Sequence, residues 1–256
     1  MADAPSSATI RNVSELIQYV FDQCTGDNEI RWFRGQRAAS WDVLPFIWRG
    51  YSPDKDLDFV DKERNFTNRF RTRAAIRIPT PPAADEYAHW LSLMQHYGLP
   101  TRLLDWTRSP LIAAYFAVAK YRDATVEPED AAVWVLKPHT LNLSEGYAEI
   151  TYPIDSPTAL PMVEPAFKSR VENDKVLAVM AVEHDMRMFV QQGAFTIHSD
   201  RSPLNKRDRS FDYLVRLEIK SDDVYRFAWE IYAAGIRKGD IFPDLTNLAD
   251  ELKGVP

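Results

Sequence analysis

Arg34 is the first residue whose type and position could do chemistry. It ends an alternating run over residues 30–34, which predicts a short strand that Gly35 breaks. An arginine at the end of a strand can project its guanidinium into a cleft and bind phosphate or carboxylate bidentately. Gly35 would permit close approach of the backbone. A structural salt bridge is the alternative interpretation of Arg34, and the sequence does not separate the two.

Residues 95–110, QHYGLPTRLLDWTRSP, are the densest group of polar and aromatic side chains in the chain. His96 could act as an acid–base group, or it could be a structural histidine that caps the preceding helix. Asp105 could pair with Arg102 or with Arg34. Both kinds of interpretation stay open at this point.

Thr107 and Ser109 lie at or just before a predicted helix N-terminus. Ser109 and Pro110 form the pair that commonly occupies the N-cap and N1 positions, so a helix is predicted from residue 111 to about residue 119. Free backbone N–H groups at a helix N-terminus favour an anion.

A third segment, residues 187–195, combines polar and apolar side chains at the end of a predicted helix over residues 183–192. Gln191 or Gln192, beside Gly193, could recognise an amide or a hydroxyl group. A pair of surface glutamines is the alternative.

A predicted helix over residues 55–77 carries the one concentration of basic residues in an acidic chain. It is either a solvated face balanced by acids elsewhere or a surface that faces a phosphate-bearing ligand. Its arginines are Arg64, Arg69, Arg71, Arg73 and Arg77.

Composition limits the remaining possibilities. The chain has 256 residues, a net charge of −6 and one cysteine, Cys24, which we interpret as a buried apolar residue. The charge argues against a protein that coats DNA, and the lone cysteine excludes an internal disulfide and favours a reducing, cytoplasmic location. The five histidines do not occur at metal-binding spacing with carboxylates, and the motifs of nucleotide-binding loops and of serine or cysteine hydrolases are absent, so no metal site is predicted.

Helical and strand-like patterns alternate without regular βαβ units, which predicts one α+β domain. We expect residues 1–9 to be disordered and residues 10–256 to form this domain, with residues 140–170 as an irregular segment that forms a long loop or short strands. Asn12, with Glu15 three residues later, predicts the start of the first helix. Further strands are predicted over residues 131–136, 194–198 and 213–219, and further helices over residues 85–97, 221–234 and 243–252.

These segments resemble the FRG domain family, which is named for its Phe-Arg-Gly motif. The resemblance extends over residues 30–252 and implies a protein of bacteria or phages, with some relatives in defence or toxin-like settings. The matching motifs are Phe33-Arg34-Gly35-Gln36, residues 95–107, Ser109-Pro110, Ala113-Ala114, Phe116-Ala117, the set Arg187, Gln191, Gly193 and Phe195, and residues 242–245.

The chain also resembles ADP-ribosyltransferases of the Arg-Ser-Glu type. Arg34-Gly35 looks like their first element, and Thr107-Arg108-Ser109 looks like their second. The resemblance implies a split sheet flanked by helices, NAD as substrate, and a catalytic set of Arg34, Asp105, Gln191 and His96. It implies NAD contacts from Arg34, Gly35, Tyr97, Arg102, Trp106, Thr107 and Ser109, with Arg34 on the pyrophosphate, Thr107 and Ser109 on the ribose, and Tyr97 or Trp106 stacked on nicotinamide.

The third element departs from that pattern, because Gln191-Gln192-Gly193 stands where a catalytic glutamate is expected. A glutamine keeps a hydrogen bond but supplies no negative charge. Either another acid serves, of which Asp105, Glu183 and Asp200 are candidates, or the reaction is slow, or the domain only binds a nucleotide. Three hypotheses follow: an ADP-ribosyltransferase or NAD glycohydrolase in a toxin or phage-defence role, a non-catalytic nucleotide or nucleic-acid binding module, and a protein-interaction domain. An effector of the first kind could have a macromolecular acceptor, which the sequence does not identify, and a neutralising partner protein. No membrane association is expected.

Overall fold

A mixed sheet forms the centre of the fold. The computed structural model describes residues 5–27, 29–49, 59–169, 173–182 and 186–253. Within these ranges eight strands form one sheet, accompanied by eleven helices, which confirms the predicted α+β class. The strands are β1 (Ser6–Thr9), β2 (Trp32–Gln36), β3 (Leu103–Thr107), β4 (Ala131–Leu136), β5 (Tyr152–Pro153), β6 (Val176–Met180), β7 (Gly193–His198) and β8 (Leu214–Ile219).

The helices lie between these strands and after the last one. They are α1 (Val13–Asp27), α2 (Phe59–Ala74), α3 (Tyr87–His96), α4 (Pro110–Val118), α5 (Pro138–Ser144), α6 (Leu160–Val163), α7 (Met186–Val190), α8 (Ser210–Tyr213), α9 (Val224–Ala233), α10 (Lys238–Ile241) and α11 (Leu245–Lys253). Among the described residues, no helix is long and apolar enough to cross a membrane.

The sheet consists of two halves that are joined weakly in the middle. The strand order is β1-β8-β4-β2-β3-β7-β6-β5. Five residues of β2 pair with β4, and five residues of β3 pair with β7, whereas β2 and β3 share the single registered pair Phe33–Thr107. The two central strands therefore diverge beyond this pair, and the sheet is split at that point.

Apolar residues cover both faces of the sheet. On one face, Phe33 packs against the small residues of α4 and against α9, while Leu103 packs against α3 and α6. On the other face, Trp32, Trp106 and Trp134 form a core. Because neighbouring residues of a strand point to opposite faces, this division fixes the side of the sheet that each residue of β2 and β3 faces.

Several local predictions are confirmed. The backbone N–H of Glu15 donates to Oδ1 of Asn12 at 2.9 Å, and the Asn12 amide donates to Glu15 Oε1 at 3.1 Å, which is the reciprocal cap predicted for α1. The N–H of Ile112 donates to Ser109 Oγ, as the N-cap of α4 requires. Gly98, with a φ of +75°, follows the end of α3.

Three predictions about secondary structure are wrong. Ser6–Thr9 form β1, which pairs in parallel with β8, so this part of the N-terminus is not disordered. Gly35 continues β2 instead of ending it. Residues 140–170 contain the short strand β5, as one alternative predicted, but also α6 and most of α5, because short apolar turns there pack onto the sheet. The predicted helix segment 55–58, Glu183 and the side chain of Cys24 lie outside the described residues.

Candidate functional site

A cleft of about 460 Å³ opens where β2 and β3 diverge. Gly35 and Gln36 of β2 and Asp105 of β3 line it, and side chains from three helices complete its walls. These include Gln95 and His96 of α3, Tyr115 and Phe116 of α4, Arg187 and Met188 of α7, and, beside these helices, Gln191 and Phe242.

Arg34 lies in the cleft with its guanidinium only partly satisfied. Its Nη1 donates to the backbone carbonyl of Asp105 at 2.7 Å, while its Nε is buried and has no hydrogen-bond partner. No carboxylate of the described residues forms an ion pair with it. Burial lowers the pKa of Arg34 to about 10, an effect that Asp105 opposes and Arg49 reinforces. Arg34 is therefore charged at neutral pH, and within the described part of the protein no carboxylate contacts its guanidinium directly.

Arg49 and Arg187 add two further guanidiniums to the cleft. Arg49 follows the 3₁₀ turn Phe46–Trp48, lies 5.6 Å from the centre of the Phe46 ring, and donates from Nε to the carbonyl of Leu44 at 3.3 Å. Arg187 donates to the carbonyl of His96 at 3.2 Å. Sequence reasoning missed Arg49, because no motif or periodicity marks it. Arg187 was noticed only as part of the third segment.

Asp105 is the one carboxylate among the described residues that line the cleft. It is the exposed position of a strand whose other residues are buried. The Gln95 amide donates to Asp105 Oδ2 at 2.7 Å and accepts from the hydroxyl of Thr101 at 2.5 Å. This chain of hydrogen bonds fixes one carboxylate oxygen of Asp105.

His96 and Tyr97 lie at the C-terminal end of α3. His96 lines the cleft, and its ring meets the Tyr97 ring edge-on at 5.0 Å. Tyr97 is 65% exposed and lines a second, more open pocket of about 820 Å³ that adjoins the cleft. The two pockets share Arg34, Arg49 and Arg187, together with Gln95, His96 and Asp105.

Gly35 is required by packing within the protein. A Cβ atom at this position would lie 1.9 Å from the carbonyl oxygen of Ala113 and 2.6 Å from the amide nitrogen of Ala117. The close backbone approach predicted for Gly35 is therefore the approach of α4 to β2, although the residue also lines the cleft.

The hydroxyl groups of Thr107 and Ser109 both form hydrogen bonds with backbone groups. Thr107 Oγ1 donates to the carbonyl of Gln191 at 2.7 Å and accepts from the N–H of Ser109 at 3.1 Å. Ser109 caps α4 and does not line the cleft. Ser109 Oγ accepts the capping hydrogen bond, and Thr107 lines the cleft but is 5% exposed, so nucleotide contacts of these two hydroxyl groups stay predictions.

Trp106 and Arg102 are buried structural residues. Trp106 belongs to the core on the opposite face of the sheet from Asp105, and its indole N–H donates to Thr196 Oγ1 at 3.0 Å. Arg102 is fully buried and donates to Glu63 Oε2 at 2.5 Å and to the carbonyl of Met162 at 3.2 Å. Arg102 lines neither pocket, whereas Trp106 is among the residues that line the cleft, and the predicted NAD contacts of both stay predictions.

Gln191 lines the cleft, but its amide group binds the chain. Its Nε2 donates to the carbonyl of Ile241 at 3.0 Å, which holds α10 against α7. Asp200, one of the alternative acids, forms an ion pair with Arg207 and does not line the cleft. Of the three candidate acids, Asp105 is the one that the structure places there, and Glu183 lies outside the described residues.

The arginines of α2 lie away from the cleft. Arg64 pairs with Asp61 at 2.5 Å, and Arg71 donates to the carbonyl of Ala84 at 2.7 Å. The solvated-face interpretation therefore fits these two residues. None of the five arginines predicted on this helix lines the cleft or the second pocket. No group of three or more potential metal ligands occurs among the described residues.

The fold and the site define an α+β protein with an arginine-rich cleft at the split of its sheet. Residues 29–125 match the family model of the FRG domain, so the chain carries an FRG domain, and the predicted family is confirmed. The match includes Arg34, Arg49 and Asp105 but ends before α7, so the resemblance of residues 187–195 and 242–245 stays a prediction. Neither the curated proteins nor the solved structures contain a match.

Proposed function

We propose that the cleft binds a nucleotide through its phosphate groups, with NAD as the ligand that the ADP-ribosyltransferase resemblance implies. The observation that carries this proposal is Arg34, whose Nε is buried without a partner beside two further guanidiniums. A buried donor without a partner is costly, and a phosphate oxygen would satisfy it with a charge-assisted hydrogen bond.

The remaining walls of the cleft suit the rest of a nucleotide. Trp41, Tyr115 and Phe116 supply apolar and aromatic surface, and Gln36 and Ser92 lie among them as polar lining residues. A volume of about 460 Å³ lies within the range of small-ligand sites, which are mostly apolar with a few polar groups that fix orientation. We propose that the phosphate groups of the nucleotide lie at the arginines and that one of its rings lies between the aromatic side chains.

Isothermal titration with NAD, ADP-ribose and nicotinamide tests the binding. We expect NAD and ADP-ribose to bind and nicotinamide alone to bind much more weakly. Arg34→Met should weaken the binding of NAD about 10- to 100-fold, because a hydrogen bond to a charged group contributes about 1.5–3 kcal/mol. Arg11→Met is the matched control, because Arg11 is exposed and lines neither pocket. Equal affinities of the two variants for NAD would refute the proposal.

A second candidate function is cleavage of NAD, and the position of Asp105 favours it. In this reaction the bond between the ribose C1′ and nicotinamide breaks, and nicotinamide leaves with the bonding electrons. A carboxylate stabilises the positive charge that develops on the ribose. Water, or a hydroxyl of an acceptor, then bonds to C1′ and releases its proton to solvent. Asp105 is exposed in the cleft, and Gln95 holds one of its oxygens, so it could supply the charge that Gln191 lacks.

Measuring nicotinamide release by chromatography distinguishes cleavage of NAD from binding of NAD without cleavage. Asp105→Asn should lower the rate about 100-fold or more, while NAD binding persists in titration. Glu149→Gln is the control, because this carboxylate is exposed and lines neither pocket. If the wild-type protein binds NAD and releases no nicotinamide, cleavage is refuted and nucleotide binding stands. Turnover would agree with the toxin or phage-defence role that the resemblance implies.

A further inference from the structure

The second pocket has aromatic walls of its own. It shares Arg34, Arg49 and Arg187 with the cleft, but Phe46 and Tyr97 line only the second pocket. Both rings are largely exposed, Phe46 by 54% and Tyr97 by 65%. Large exposed rings beside guanidiniums form a surface on which nucleobases stack and to which phosphates bind.

The pocket carries few negative charges to oppose an anion. Its carboxylates are Asp105, which accepts from Gln95, and Asp244. Asp244 accepts from the backbone N–H of Asn247 at 2.9 Å and from its side-chain amide, and these hydrogen bonds lower the pKa of its carboxyl group. Both carboxylates are therefore held by hydrogen bonds within the protein.

A row of exposed arginines lies on α2 and just after its end. Arg69, Arg73 and Arg77 follow one another at intervals of four residues, are exposed, and form no ion pair with a carboxylate in the described part of the chain. Like charges at this spacing repel each other, so the row lacks the counter-charges that would stabilise it. Phe70 of α2 meets the Tyr97 ring at 6.4 Å between ring centres. The helix that carries Arg69 and Arg73 therefore packs beside the second pocket.

We propose that the second pocket and this arginine row bind single-stranded nucleic acid. One nucleotide lies in the pocket, with its base stacked on Tyr97 and its phosphate at Arg49. The adjoining phosphates follow Arg69 and Arg73, which the helix places about 6 Å apart. This proposal goes beyond nucleotide binding in the cleft, because it concerns a polymer and other residues.

The charge distribution favours a single strand over a duplex. The chain as a whole carries −6, so broad electrostatic contact with a duplex is unfavourable. A flexible strand needs only a narrow basic track and rings that its unstacked bases can contact. An acidic peptide would match the arginines but would leave the exposed faces of Phe46 and Tyr97 unused.

Fluorescence anisotropy with labelled dT12 and U12 oligonucleotides tests the proposal on the full chain. We expect binding that weakens as salt increases, and a loss of about 10-fold in Tyr97→Ala, because stacking of one base contributes about 1–3 kcal/mol. Phe21→Ala is the matched control, since Phe21 is 62% exposed and lines neither pocket.

The arginine row is tested by its effect on salt dependence. Replacement of Arg69 and Arg73 by glutamine should reduce the slope of log affinity against log salt concentration by about 0.7 for each lost phosphate contact. NAD binding by this double variant should be unchanged, because neither residue lines the cleft. Failure of NAD to bind wild-type protein would therefore refute only the nucleotide proposal. Failure of both oligonucleotides to bind at 50 mM salt, an equal loss in Phe21→Ala, or equally tight binding of polyglutamate would overturn the strand-binding site.

Discussion

Two arginines of the FRG segment, Arg102 and Arg34, differ in what surrounds them. Arg102 is fully buried, and Nε and Nη2 of its guanidinium donate to the carboxylate of Glu63, which is itself fully buried. Arg34 lies in an open cleft, donates to a backbone carbonyl, and keeps a buried Nε without a partner. Arg102, just before β3, forms a closed ion pair with Glu63 of α2. The guanidinium of Arg34 has only part of its hydrogen-bonding groups satisfied.

This difference decides which arginine can bind a ligand. A buried ion pair whose two charges satisfy each other has little to offer a phosphate, and removing one member leaves the other charge buried alone. The guanidinium of Arg34 forms no ion pair with a carboxylate of the described residues, so an incoming anion would satisfy its unpaired Nε. Both positions hold an arginine, but the groups that each arginine contacts determine its role.

The largest expected effect comes from breaking the closed pair. Arg102→Met should lower the free energy of unfolding by about 3–5 kcal/mol, because the carboxylate of Glu63 would remain buried without a cation. Urea unfolding followed by circular dichroism measures the change. Arg34→Met serves as the comparison and should change stability by less than about 1 kcal/mol, since it leaves no buried carboxylate unpaired. Similar losses in both variants would show that the two arginines play the same structural role.

Gly35→Ala should cause a smaller loss of stability. This variant tests whether packing against α4 holds the strand that carries Arg34. The added Cβ would overlap the backbone of α4 at Ala113, so we expect a loss of stability of about 1–3 kcal/mol or more. The melting temperature reports this loss. Gly26→Ala is the control, because nothing lies within 4 Å of a Cβ atom added there. An unchanged melting temperature for Gly35→Ala would mean that α4 does not approach β2 as described.

The titration of His198 gives the smallest effect at neutral pH, and this effect grows as the pH falls. His198 is fully buried; desolvation, followed by the charges of Arg207 and Arg34, lowers its pKa to about 3. The unfolded chain therefore binds a proton between about pH 6.5 and pH 3 that the folded protein does not bind, and stability falls as the pH falls through this range.

Replacement of His198 removes this contribution. His198→Gln, which can keep the hydrogen bond to Thr196, should reduce the slope of stability against pH by up to about 1.4 kcal/mol per pH unit between pH 6 and pH 4. Urea unfolding at several pH values measures the slope for both proteins. Identical slopes would mean that the imidazole becomes protonated in the folded state.

Local signals in the sequence predicted much of the scaffold. The Asn12–Glu15 and Ser109–Pro110 pairs predicted the starts of α1 and α4, and both are in place because capping depends on neighbouring residues alone. Arg34 and Asp105 were also identified as candidate site residues, and both line the cleft.

Long-range contacts decide what the sequence could not predict. Trp106 lines the cleft, yet strand alternation turns its ring into the core on the opposite face from Asp105. Arg102 was assigned to NAD because its partner, Glu63, is 39 residues away and carries no motif. Arg49 was missed for the complementary reason, since only the folded arrangement brings it beside Arg34.

The most direct test of nucleotide binding at Arg34 is a crystal structure of the protein with ADP-ribose. Our account predicts a phosphate oxygen at about 2.8 Å from Nε of Arg34, with further phosphate contacts from Arg49 or Arg187. A bound ligand whose phosphates lie away from this Nε atom would contradict the account.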